Sequence, residues 1–70
     1  MNAGSDLAEL SSLRSQLDEM AKRVEAIAFR YQETPDSAVA ADLFEAERSL
    51  VSAGRVIDRA LAALGELSEP

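Results

Sequence analysis

Residues 10–31 read LSSLRSQLDEMAKRVEAIAFRY, with apolar side chains at Leu10, Leu13, Leu17, Met20, Val24, Ile27 and Tyr31. The steps alternate between three and four residues, the spacing that keeps one apolar stripe on a helix. A second ladder follows downstream: Val39, Leu43, Ala46, Leu50, Ala53, Ile57, Ala60 and Leu64. Two helices are therefore predicted, and the linker between them decides how they meet.

That linker is Thr34-Pro35-Asp36-Ser37. Proline disfavours the α conformation in the residue before it, which ends helix 1 at about Glu33. The same residues suit the start of helix 2, with Thr34 as N-cap, Pro35 at the first helical position and Asp36 at the positive end of the dipole. So short a connection makes the helices antiparallel. The expected fold is all-α, a two-helix antiparallel hairpin of coiled-coil type, dimerising into a four-helix bundle. Residues 1–5 form a disordered N-terminal tail, with Asp6 and Glu9 placed as a capping box. The hairpin occupies 6–65, with helix 1 at about 6–33, a turn at 34–36 and helix 2 at about 35–64. Gly65 is placed just past the last helical turn, and residues 66–70 form a frayed C-terminal tail.

Pairing the ladders sets Tyr31 opposite Val39, Ile27 opposite Leu43 and Met20 opposite Leu50. Every pair down to Leu10 and Ala60 is apolar, and Arg30 lies across an edge of the seam from Asp42. With the ladders facing each other, a second stripe stays wet: Leu7, Ala21, Ala28, Ala40, Gly54 and Leu61, joined by Phe44 and Val51. Gly54 within a helix costs about 1 kcal/mol relative to Ala, so a close neighbour is expected there. This stripe is the expected face for self-association or for a partner. Glu47 is its awkward member and calls for a cation, with Arg14 of a neighbouring chain as one candidate. Phe29, alone on the far side of helix 1, is a candidate exposed anchor. Arg48, Arg55 and Arg59 lie one or two turns apart and form a candidate anion contact, set against a plain solvated face with Glu45, Ser52 and Asp58.

Composition narrows the function. Seventy residues seldom bury enough apolar surface to be stable alone. With no Cys and no His, disulfides and the usual metal ligands are excluded, which leaves oligomerisation. Thirteen acidic against seven basic residues give a charge of −6, opposed to binding nucleic acid or an anionic membrane. No apolar run approaches the ~18 residues of a membrane span. The start lacks the basic-then-apolar pattern of a secretory signal, so a cytoplasmic protein is expected, and six Arg to one Lys with abundant Ala, Leu and Val suggests a bacterial one. No His-based acid–base pair, activated nucleophile or Gly-rich phosphate loop is present, so neither catalysis nor a cofactor is expected.

The stretch Leu10-Ser11-Ser12-Leu13-Arg14-Ser15-Gln16-Leu17-Asp18 resembles the first helix of the all-helical chorismate mutases. The resemblance implies that Arg14, with Arg30 near a second position, binds a substrate carboxylate. It covers under a third of the chain, and that family's lysine and third helix are missing. The leading expectation is a non-enzymatic interaction module, a scaffold or regulatory adaptor, acting as a homodimer. A small acidic regulator of a different protein, such as an antitoxin or anti-sigma-like protein, is the alternative. A chorismate-mutase-like enzyme ranks third.

Overall fold

The computed structural model describes residues 2–68. Two helices, α1 (Ala3–Tyr31) and α2 (Ser37–Ser68), run antiparallel and pack against each other along their length. The molecule measures 57 × 14 × 14 Å. It exposes 5200 Å² of surface, against about 4,200 Å² for a compact protein of this mass.

Helix α1 starts a turn earlier than Asp6. Asn2 is the cap, its side-chain oxygen accepting from the Ser5 N–H at 3.1 Å. Asn caps as well as Asp does, and Asp6 then lies in the first turn, where a negative charge suits the dipole. Residues 3–5 are thus helical rather than a disordered tail, and Met1 lies outside the described residues. At the other end the Gln32 N–H closes the last turn on the Ala28 carbonyl at 3.2 Å. Glu33 then adopts φ 62°, in the left-handed region. Thr34 donates its hydroxyl proton to the Tyr31 carbonyl and accepts from the Asp36 N–H at 3.1 Å.

Thr34–Asp36 form the turn itself rather than the first residues of α2. The Ser37 N–H meets the Thr34 carbonyl at 3.1 Å and the Val39 N–H meets the Asp36 carbonyl at 2.9 Å. These are three-residue bonds, so a tight 3₁₀-like turn leads into the α-helix. At its far end α2 passes through Gly65 in helical conformation and reaches Ser68. A single glycine lowers helix stability by about 1 kcal/mol without ending the helix. Residues 66–68 are therefore helical rather than frayed, while Glu69 and Pro70 lie outside the described residues.

The interior is made of small residues. Ala21, Ala28 and Ala40 are the buried apolar residues, with Ala28 at 0 % exposure, and Gly54 is buried beside them. These positions are spaced by sevens or fourteens along their helices. In antiparallel register Ala28 is level with Ala40, and Arg14 with Gly54. Small side chains at the contact let two helix backbones approach closely. Half-buried Leu10, Leu17 and Val24 from α1, and Leu43, Leu50, Ile57 and Leu64 from α2, close one side of this seam.

Candidate interaction face

The structure exchanges the roles of the two stripes. Of the stripe expected to stay wet, Ala21, Ala28, Ala40 and Gly54 are buried between α1 and α2, and Leu7, Phe44, Val51 and Leu61 are half-buried. The four buried residues are not available to a partner, because the hairpin uses them for its own close approach. The ladders expected to form the core are turned partly outward instead. Leu13 (44 %), Met20 (51 %), Ile27 (39 %), Tyr31 (39 %) and Val39 (43 %) are exposed, as are Ala46, Ala53 and Ala60. In each ladder pair from Ile27 with Leu43 to Leu10 with Ala60, one member is half-buried and the other exposed. Each helix is turned so that the seam runs between its two stripes.

The result is one continuous apolar face made by both helices. Val56, 53 % exposed, widens it on the α2 side. Polar residues frame it, with Arg23 and Arg30 along the outer edge of α1 and Asp42 along the outer edge of α2, all exposed. Two open grooves lie on the α1 side, one among Ser12, Ser15, Gln16, Glu19, Met20 and Arg23, the other among Met20, Arg23, Val24 and Ile27.

The opposite side of the hairpin is closed by two contacts that the ladders did not foretell. Arg14 crosses the seam: its Nε donates to Asp58 Oδ1 at 2.8 Å and its Nη2 to Asp58 Oδ2 at 3.2 Å, while Nη1 pairs with Asp18. These hydrogen bonds hold the guanidinium pKa above its ordinary value, with Asp58 the larger cause and Asp18 the next. The hydrogen bond from Arg14 holds the Asp58 carboxyl below the usual range. Arg14 is thus held within its own chain by two carboxylates. Among the described residues both ion pairs fall on Arg14, so Arg30 and Asp42 do not pair within the hairpin.

Phe29 is not solitary. It is 57 % exposed, but its ring meets Phe44 edge-on, with centroids 5.2 Å apart and planes at 78°. Such pairs contribute about 0.5–1.5 kcal/mol beyond the area they bury. Arg48, Arg55 and Arg59 are all exposed. Arg48 and Arg55 line one open groove with Val51, Ser52 and Glu47, and the Glu47 carboxylate opposes an anion there, while Arg59 lies outside it.

Among the described residues no group of three or more acidic side chains is placed to hold a metal ion. No described helix is long and apolar enough to cross a membrane. No protein-family model, curated protein or solved structure matches the chain.

Proposed function

We propose that this chain is a non-enzymatic helical interaction module, a scaffold or regulatory adaptor, that joins a second copy of itself into a four-helix bundle. One observation carries the reading. Among the described residues no large apolar side chain is fully buried, while Leu13, Met20, Ile27, Tyr31 and Val39 are exposed along one face. Burying a large apolar side chain stabilises by about 1.5–3 kcal/mol, and the isolated hairpin leaves much of that unrealised. Marginal stability in so short a chain favours covering the face with protein. Work in the cytoplasm belongs to the same proposal, and a chain with no Cys fits a reducing compartment.

Sedimentation across a range of concentrations tests it. The wild type should dimerise, Ile27→Glu should give monomers, and Val51→Glu, on the other side of the hairpin, should remain dimeric. Both substitutions add the same charge, so general repulsion would act on both. Loss of dimer from Val51→Glu alone would contradict the assignment of the face. A wild type that stays monomeric throughout would favour the second reading, a regulator that covers the face with a different protein. The charge of −6 supports that reading by suiting a basic partner. An enzyme of chorismate-mutase type has less support, since Asp58 and Asp18 occupy the arginine it would use.

A further inference from the structure

We propose that the second copy docks with its turn at the same end, so that α1 of each copy lies on α2 of the other. This rests on the self-association reading above and adds an arrangement to it. The footprint supports one hairpin as the occupant. One whole side of the molecule measures 57 × 14 Å, about 800 Å², so docking along its full length matches the area each partner contributes to a stable interface of ordinary size.

Side-chain volume selects the arrangement. Away from the turn the exposed ladder positions of α1 are large (Leu13, Met20, Ile27) and those of α2 are alanines (Ala46, Ala53, Ala60), while beside the turn both helices expose a large residue, Tyr31 and Val39. Rotating a copy about an axis parallel to the helices keeps every level and lays α1 over α2. Leu13 and Met20 then each fall between two alanines and Ile27 falls between Ala46 and Val39, which gives the interdigitation a packed core needs. Turning the copy end over end lays α1 on α1 and α2 on α2. Bulk then meets bulk along one line and alanine meets alanine along the other, leaving the two lines at unequal separation.

Charge adds a second, independent selection. In the hairpin's register Asp42 is level with the segment of α1 between Arg23 and Arg30. Within one copy these groups stand on opposite edges of the apolar face and do not pair. The same-end arrangement brings each copy's Asp42 to the Arg23–Arg30 edge of the other, at both rims of the interface.

The chain has no Cys, so Asp36→Cys provides a single spin-label site in the turn of the full chain. Pulsed EPR should give a distance of about two helix diameters, ~20–25 Å. A distance approaching the 57 Å length of the molecule would overturn the arrangement while leaving dimerisation intact. A monomer at every concentration would overturn both this inference and the self-association reading.

Charge reversal gives a separate readout. Asp42→Arg alone and Arg30→Asp alone should each weaken the dimer ~10-fold or more, since each sets like charges together. An equimolar mixture of the two variants should form heterodimers with affinity near that of the wild type. Arg30 lies in the last turn of α1, so its reversal also disturbs a helix end, but mixing cannot repair that. Two variants that dimerise normally alone, or a mixture no tighter than either, would show that these edges do not meet.

Discussion

The guanidinium of Arg14 occupies the space that a side chain at position 54 would fill. A Cβ placed on Gly54 would lie 2.7 Å from both Cζ and Nη1 of Arg14. The longest side chain of the seam thus crosses the helix with the smallest, and it does so to reach Asp58. Gly54→Ala should gain about 1 kcal/mol in helix propensity. It should also push aside a flexible arginine whose exposed ion pair contributes ~0–1 kcal/mol. Urea melts of the double-mutant cycle should separate these effects. Gly54→Ala should be close to neutral in the wild type and stabilising by up to ~1 kcal/mol in an Arg14→Ala background. Destabilisation in both backgrounds would mean that the facing helix backbone, not the guanidinium, fills the space.

The small-residue seam makes a second prediction. Ala28 is fully buried and Ala26, on the same helix, is exposed. Leu is nearly as good a helix former as Ala, so Ala→Leu at the two sites differs mainly in packing. Ala28→Leu should force the helices apart and lower stability by about 1–3 kcal/mol. Ala26→Leu should stay within ~0.5 kcal/mol of wild type. Equal thermal melts for the two variants would place the ladders, rather than Ala21 and Ala28, between the helices.

The hairpin itself is legible in the sequence. The alternating three- and four-residue steps give two helices, and Thr34-Pro35 gives the break between them. The choice of stripe facing the partner helix is less legible, because each helix is apolar over more than one seam. Every pair from Tyr31 with Val39 to Leu10 with Ala60 is chemically acceptable, so pairing hydrophobes cannot reject that register. Size does discriminate, since Ala21, Ala28, Ala40 and Gly54 recur at heptad spacing and permit the closest approach. The register that sets Ala28 level with Ala40 places Arg14 opposite Gly54 and points to Asp58. Phe29 reads as solitary only while the ladders face inward. Turning the helices onto the small stripe brings Phe29 and Phe44 together. The early start of α1 was masked by the capping pattern at Asp6 and Glu9, which is as well formed in sequence as the cap used at Asn2.

Glu33 follows α1 with φ 62°, a conformation costing an L-residue roughly 1–2 kcal/mol that glycine avoids. Helices commonly end with glycine at this position. Glycine also makes the unfolded chain more flexible, which takes back part of the gain. Glu33→Gly should therefore raise stability by a net ~0.5–1 kcal/mol, visible as a higher Tm. A lower Tm would mean that the Glu33 side chain contributes more than its backbone strain costs.

The Arg14–Asp58 contact predicts a pH dependence with a definite sign. The hydrogen bond from Arg14 lowers the Asp58 pKa in the folded state below its ordinary value of 3.8. The folded chain therefore binds this proton more weakly than the unfolded chain does. The resulting stabilisation is fully present above 3.8 and is lost as pH falls through the lowered folded value. Asp58 is half exposed, at 54 %, so solvent screening keeps the effect modest. Total stability is the wrong readout, since protonating the other carboxylates also relieves repulsion in a chain of charge −6. The informative quantity is the stability difference between wild type and Asp58→Asn, measured by urea melts at matched ionic strength. It should favour wild type near pH 7, narrow on the acid side of 3.8, and narrow further with added salt at neutral pH. A difference that stays constant from pH 7 to pH 2 would show that the Asp58 carboxylate does not hold Arg14 through its charge.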